Sequence, residues 1–425
     1  MSDHLEVYLH EQKVGTVGPA TSRRAKNRVK FTFADDYQPG PVRLTESFAT
    51  LPGIAPNEAL ASNFFGGYTP EGQQRIAMAE DRDFDSDDLF GFLRAFGGSI
   101  AGALTFRVRG VDLAQRPRYE PLRNSDLGRL LRESVERHDL GVRDDSRSMI
   151  QGFQPKILLA NFGDGWMQPR GRAHSTHILK PRLNTRPERI YDEFFSHELT
   201  RAMGLSSFAS EIKHVGQTHF LAIERFDREI KGGVVRAVHQ EDAAQALGLD
   251  WADDEAKFQD RFNLRRRDGP SARAIGELFS GLSDQALEAW IRQLTFRIVV
   301  GDNDGHAKNV GVLHLPGEDT ITDLYDAIPN LFQPGRIDWN MALAIDGQID
   351  HRRVSVERIV NEVGSWGSGL TARRIETVAS ETLDAFAQAI DSVIPPKGMS
   401  EGLIDGVVWN LDRLRSGQEI SERRR

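Results

Sequence analysis

Residues 5–18 (LEVYLHEQKVGTVG) alternate apolar and polar positions around a Glu-Gln-Lys turn, which predicts a small β-hairpin. Residues 28–33 (RVKFTF) read as another strand. Asp87–Phe96 places apolar residues at helical spacing, with acids at its start and Gly97-Gly98 as its stop, and Ile100–Val108 returns to a strand pattern. Residues 1–108 therefore read as a small α/β module. A polar, Arg-rich stretch from Arg109 to Ser148 follows, holding Pro117, Pro121 and a predicted helix near 125–137. Strands are predicted at Ile157–Ala160 and His177–Lys180, and Asp164-Gly165 between apolar runs is a hairpin signal. The periodicity of 188–203 predicts a helix introduced by Pro187 and closed by Gly204. Glu211–His214 and Thr218–Glu224 form a further strand pair, so 109–230 reads as a strand-rich lobe with one prominent helix.

From Gln240 onward the pattern is helical, with predicted helices at 240–247, 283–300, 353–364, 371–393 and 401–415. Ser283 is the expected N-cap of the second. Residues 250–280 are polar and rich in Gly and Arg, the pattern of a loop-rich insert. A strand-rich lobe followed by a mostly helical one at 231–425 is a segregated α+β layout.

Composition narrows the function classes. A chain of 425 residues suggests two or three domains, and 39% hydrophobic with 27% charged residues is ordinary for a globular protein. A formal charge of −8 argues against broad attraction to nucleic acid. The basic tail Arg423-Arg424-Arg425 reads as a solvated end. The absence of cysteine removes disulfides, thiolate metal sites and cysteine nucleophiles together. No apolar run reaches the roughly 18 residues of a membrane helix. The first residues carry acids where a secretion signal has basic ones, so no membrane association and a cytoplasmic location are expected.

The densest chemical signal is Gly301-Asp-Asn-Asp-Gly-His-Ala-Lys-Asn309, between an apolar helix and strand Val310–Leu313. A surface turn rich in Asp and Asn is the bland reading. Spacing sharpens the other. A protein-kinase catalytic loop sets its base Asp five residues before a metal-binding Asn, which is the separation of Asp304 and Asn309. A metal-binding Asp is then expected after a short hairpin, and Asp326 lies there, at the end of a predicted short strand. Asn309 and Asp326 offer Mg²⁺ the hard oxygen ligands it prefers. Lys180 ends a strand and Glu193 lies in the next helix, the placement of a phosphate-binding Lys held by a helix Glu. Gly152 and Lys156, in Gly152-Phe153-Gln154-Pro155-Lys156, read as a phosphate loop or as a plain tight turn. Leu221–Arg228 ends where two lobes would join, in position to meet adenine. His174 and His177 point to opposite faces of a strand and lack a third ligand, so zinc is not expected.

Taken together, Gly152-Phe-Gln-Pro-Lys156, Thr176-His-Ile-Leu-Lys180, Asp192-Glu193, Ala222-Ile-Glu-Arg-Phe-Asp-Arg228, Gln240-Glu-Asp242, Asp304-Gly-His-Ala-Lys-Asn309 and Tyr325-Asp326 resemble the HipA family of toxin kinases. Asn63-Phe-Phe, Gly97-Gly98 and Gly102-Ala-Leu look like that family's N-terminal module. The resemblance spans nearly the whole chain. It implies a two-lobed protein-kinase-like fold with an N-terminal α/β subdomain, and ATP and Mg²⁺ as cofactors. Carried over by motif, Asp304 is the catalytic base, Asn309 and Asp326 hold metal, His306 and Lys180 lie at the phosphates, and Glu224 and Phe226 flank the adenine. The family implies an aminoacyl-tRNA synthetase, notably the glutamyl enzyme, as phosphorylated target. It also implies a HipB-like helix-turn-helix antitoxin through which DNA is met indirectly. The serine whose autophosphorylation ejects the phosphate loop in relatives is replaced here: its position holds Met149, and a second such position holds Gln151. Ser148, one residue displaced, is the candidate, with Ser146 further off.

Three other readings stand beside the toxin kinase. One is a catalytically weak kinase-fold module that mainly acts as a corepressor with its antitoxin. Another is a small-molecule phosphotransferase of the aminoglycoside-kinase type, against which the N-terminal module and the Gln154-Pro155-Lys156 loop argue. The last is a metal phosphohydrolase using Asp304, His306 and Asp326, which leaves Lys180 and Glu193 unexplained.

Overall fold

The computed structural model describes residues 4–22, 25–109, 116–138, 140, 147–335 and 337–423. Ser146 and residues 424–425 of the basic tail lie outside them.

Strands β1 (Leu5–Leu9), β2 (Gln12–Pro19), β3 (Val29–Phe33) and β4 (Leu104–Val108) form an antiparallel sheet ordered β3-β2-β1-β4. In β1, Leu5, Val7 and Leu9 are buried while Glu6 and Tyr8 reach the surface, the period-two pattern expected of a half-buried strand. Helices α1 (Glu58–Gly66), α2 (Gly72–Asp81) and α3 (Leu89–Phe96) belong to this module, whose core is aromatic: Phe31, Phe64, Phe65, Phe92, Phe96 and Phe106. The Asn57 side chain caps α1 and that of Asp88 caps α3. Only α3 was predicted. The short α1 and the polar α2 lack a clear apolar stripe for periodicity to reveal. The strand expected at 100–108 pairs only from Leu104, because Gly102 N–H donates to Asp227 instead (2.9 Å).

The next sheet is antiparallel and ordered β5-β7-β6-β8-β10-β9: β5 (Arg118–Pro121), β6 (Ile157–Asn161), β7 (Trp166–Arg170), β8 (His177–Pro181), β9 (Ser210–Val215) and β10 (Thr218–Glu224). Alternate residues of β10 serve its two faces. Phe220 and Ala222 pack with Leu127, Leu130 and Leu131 of α4 (Asn124–Arg137). Leu221 and Ile223 pack with Ile190 of α5 (Arg189–Ala202). Phe195 and Leu199 of α5 enter the core of the following lobe, so this helix joins both.

That lobe is built around α8 (Asp284–Val300), buried continuously from Gln293 to Val300 and capped by Ser283, whose Oγ accepts from Ala286 N. Around it pack α7 (Ala272–Leu282), α9 (Val356–Gly364), α10 (Ala372–Ser392) and α11 (Leu403–Arg415). Small sheets interrupt the helices: the β11 (Arg228–Lys231)–β12 (Val234–Ala237) hairpin, then β13 (His239–Asp242) with β14 (Gly311–Leu315) and β15 (Glu318–Ile321), then β16 (Asn340–Ile345) with β17 (Gln348–Asp350). Two expectations are corrected here. Residues 240–247 are not one helix: β13 pairs with β14, and Asp242 then starts the short α6 (Ala243–Ala246) with a capping box to Gln245. The insert at 250–280 is not all loop, because Ile275 and Phe279 anchor α7 in the core.

The N-terminal module is seated on the helical lobe by buried polar contacts. Tyr68 Oη donates to Gln240 O, Trp251 Nε1 to Asn27 O and Thr45 Oγ1 to Glu241. At the centre, Asp227 accepts from Arg225, Arg228, Gln240 and Gly102, tying module and lobes at one carboxylate. No helix among the described residues is long and apolar enough to cross a membrane.

Candidate active site

Arg297 lies in the last turn of α8, in the apolar run Leu294-Thr-Phe-Arg-Ile-Val-Val300. A buried guanidinium must find acceptors. It pairs with the Asp302 carboxylate and donates to Asn309 O (2.5 Å) and Tyr325 O (3.0 Å). Asp302 in turn accepts from Asp304 N (2.9 Å), and Asn309 Nδ2 donates to Asp304 O (2.9 Å). Tyr325 Oη donates to Lys308 O (2.9 Å). One arginine thus fixes the 302–309 segment and the 325–326 segment against each other. The sequence reading missed Arg297 and Asp302, although an arginine inside an apolar helix was a visible signal.

Asp326 does not end a strand as expected. β15 stops at Ile321, and Asp326 stands in an irregular segment with φ of 53°, a left-handed conformation costly for a non-glycine residue and concentrated at functional sites. Its Oδ1 lies 2.7 Å from Lys180 Nζ, on β8, and the same ammonium lies 2.6 Å from Glu193 Oε1, on α5. Lys180 and Glu193 are almost wholly buried, while Asp326 keeps 41% of its side chain open to the cleft.

Electrostatics follow from this packing. Burial works against the charge on Lys180, but Asp326 and Glu193 outweigh it and raise its pKa. Burial opposes the charge of Asp326 too, and Lys180 overcomes it, holding the carboxyl well below the usual range. Glu193 moves the other way: burial lifts it despite Lys180, and its Oε2 has no hydrogen-bond partner. Burial, with Asp302 and Asp326 nearby, pushes the Asp304 carboxyl up to about 7. His306 is buried against the edge of Phe258 (ring centroids 5.0 Å apart), which drives it down to about 3 and keeps it neutral, with Nδ1 unpartnered.

These residues line a cleft of about 490 Å³ that also holds Gly152, Phe153, Gln154, Lys156, Glu224 and Phe226. Gly152 has φ of 106°, and a Cβ there would fall 2.5 Å from Lys156 Nζ, which donates back to Gln151 O (2.9 Å). Burial lowers Lys156 to about 8, aided by Lys180. Phe226 stacks on Tyr325 with centroids 5.5 Å apart, beside the β10 end that carries Glu224. Asn309 spends its amide N–H on Asp304, which leaves its side-chain oxygen, with the Asp326 carboxylate, as a donor pair suited to Mg²⁺. Ser148 is not among the cleft residues: it is buried, bridged to Ser99, and its Oγ has no partner. Glu71 and Lys257 also line the cleft and escaped the sequence reading, because neither falls within a motif. A second, larger cavity of about 790 Å³, lined by His10, Arg107, Tyr119, His174 and Arg236 among others, contains none of the catalytic candidates.

The chain is similar to known proteins over nearly its whole length. Residues 148–390 match the HipA-like C-terminal domain and residues 5–107 the HipA N-terminal domain. Y4mE of Sinorhizobium fredii is 29% identical over 342 residues, 77% of this chain and 78% of the relative. The serine/threonine-protein kinase toxin HipA of Shewanella oneidensis is 24% identical over 348 residues, 79% of this chain and 78% of that protein. The solved Shewanella oneidensis MR-1 complex of HipA, HipB and its operator DNA contains a chain of the same fold: TM-score 0.77 at 20% identity, over 97% of this chain and 99% of that one. The α+β, two-lobed kinase-like fold with its N-terminal subdomain is thereby shown.

Proposed function

Since the chain belongs to the HipA family, we propose that it is an ATP- and Mg²⁺-dependent Ser/Thr protein kinase acting as the toxin of a toxin–antitoxin pair. The observation that carries this reading is the placement of Lys180 between Glu193 and Asp326, beside a segment in which Asp304 and Asn309 are hydrogen-bonded to each other. A phosphotransferase needs those groups together, and a phosphohydrolase has no use for the Lys–Glu pair.

Lys180, aimed by Glu193, holds the α- and β-phosphates of ATP. Asn309 and Asp326 would hold Mg²⁺, which would neutralise charge on the phosphate oxygens. Gly152 and Lys156, which line the same cleft, would contact the phosphates, and neutral His306 would offer them a hydrogen bond. Glu224 and Phe226 flank the adenine. The acceptor hydroxyl oxygen attacks the γ-phosphorus in line as the bond to the β–γ bridging oxygen breaks, leaving ADP. The hydroxyl proton passes to Asp304, whose carboxyl is held by burial above the usual carboxylate range.

The target in this reading is an aminoacyl-tRNA synthetase, the glutamyl enzyme first, so that the outcome is inhibited translation and growth arrest in the cytoplasm. A HipB-like helix-turn-helix antitoxin restrains the protein and brings it to DNA, in keeping with the HipA–HipB–operator complex of the Shewanella relative. Ser148 is the proposed autophosphorylation site. Because it is buried, the segment must leave its seat before the hydroxyl can react.

The test is γ-phosphate transfer from Mg²⁺-ATP to a panel of aminoacyl-tRNA synthetases, read by mass spectrometry, for wild type and Asp304→Asn. Label on a synthetase that disappears in the variant supports the reading. ATP binding without transfer by the wild type points instead to the corepressor module.

A further inference from the structure

Glu71 belongs to the N-terminal module, at the residue preceding α2, yet its carboxylate is buried in the wall of the nucleotide cleft. Oε2 lies 2.7 Å from Lys257 Nζ and Oε1 lies 2.5 Å from Lys308 Nζ. Lys308 is part of the Asp304–Asn309 string, and Lys257 O accepts from Ala307 N in the same string (3.2 Å). Burial alone would raise the carboxyl, but the two lysines hold it at about 2. One carboxylate against two ammonium groups leaves a net positive charge facing the cleft.

The same corner reaches the glycine loop. Lys257 Nζ sits 4.3 Å from the centroid of the Phe153 ring, within cation–π range. One edge of that ring also meets Gly72: a Cβ at Gly72 would fall 2.5 Å from its Cε1 and 2.6 Å from its Cδ1, and Gly72 has φ of +52°. Phe153 remains 51% exposed, so its ring is not a core residue held by general packing. Its neighbours on this side are the backbone of one module and the ammonium that this module's glutamate fixes.

We propose that Glu71, Gly72 and Lys257 are positioning residues of the nucleotide site. Through Phe153 they hold the Gly152 loop over the cleft, and through Lys308 they hold the catalytic segment at its phosphate end. The N-terminal module thereby completes the ATP site. This deepens the kinase reading and rests on it for the ligand, though not for the loop contact itself.

Full-length wild type, Phe153→Ala, Gly72→Ala, the double variant and Glu71→Gln would be compared by Mg²⁺-ATP titration calorimetry and by amide hydrogen exchange of residues 150–156 without nucleotide. Phe153→Ala and Gly72→Ala should each weaken ATP binding roughly tenfold, the size of a partly desolvated cation–π contact. They should speed exchange in the loop by a similar factor and raise KM for ATP far more than they lower kcat. Since both break one contact, the double variant should be no worse than either single. Glu71→Gln should loosen the same loop while leaving exchange in β1–β4 at the wild-type rate. Wild-type exchange and ATP affinity in Phe153→Ala would overturn the proposal, as would multiplicative losses in the double variant. A wild type that binds no ATP would overturn the kinase reading instead, and loop exchange would still decide the contact.

Discussion

Replacing Arg297 by Met removes the guanidinium that spans Asp302, Asn309 O and Tyr325 O, and keeps most of the side-chain volume. Asp302 is 5% exposed, so its carboxylate is left buried with Asp304 N–H as a remaining donor. Breaking a buried ion pair from one side costs about 3–5 kcal/mol, because the surviving charge keeps its desolvation penalty and loses its partner. Neutralising the survivor should return part of that loss. In a double-mutant cycle with Asp302→Asn, the two changes together should cost about 2 kcal/mol less than the sum of the singles. The site should suffer separately from the fold. Asn309 and Asp326 are tied across Arg297, and a displacement of about 1 Å at a reacting centre costs roughly 100-fold in rate. Urea unfolding followed by circular dichroism gives the first number, and kcat for phosphotransfer without urea gives the second. An Arg297→Met protein within about 1 kcal/mol of wild type, or one with full activity, would refute this account of how the two catalytic segments are joined.

Lys180→Met leaves Glu193 and Asp326 without their shared ion-pair partner, so it should abolish transfer and lower stability by about 3 kcal/mol, with part of the stability restored by adding Glu193→Gln. Calorimetry and the transfer assay read the two effects. His314 concerns stability alone. Burial disfavours its charge, but hydrogen bonds to Asp319 (2.7 Å) and Glu241 (3.0 Å) win and push it up to about 9. A folded pKa above the unfolded one stabilises fully below about pH 6.5 and loses that contribution as pH rises through 9, on the order of 3 kcal/mol. His314→Gln should flatten the fall in melting temperature over that window, and an unchanged slope would remove the assignment. Chelation of divalent metal by EDTA should stop phosphotransfer reversibly, with excess Mg²⁺ restoring it, because Asn309 and Asp326 present only oxygen donors.

Much of the fold was legible in order along the chain. Alternation in 5–18 set the first hairpin, the apolar run within 218–224 set a strand buried on both faces, and the capped apolar run at 283–300 set the helix that precedes the 301–309 segment. Where local pattern was weak or ambiguous, the reading failed: the polar α2 gave no stripe, and β13, starting at His239, was taken for helix because its strand partner lies some seventy residues later. The candidate site divides the same way. Asp304 and Asn309 announce themselves by spacing, since one loop carries both. Lys180 and Glu193 could be paired by analogy, since a strand and the next helix bring them together.

Sequence alone could not supply the remainder. The left-handed backbone at Asp326 is imposed by its surroundings, not by its residue type. Arg297 and Asp302 are charges whose partners are set by burial, and Glu71 reaches Lys308 across 237 positions of chain. Chemistry confined to one turn is written in residue order. Contacts that must offset the desolvation of buried charge are chosen by whichever group the packed chain brings within reach, and that is a property of the tertiary structure.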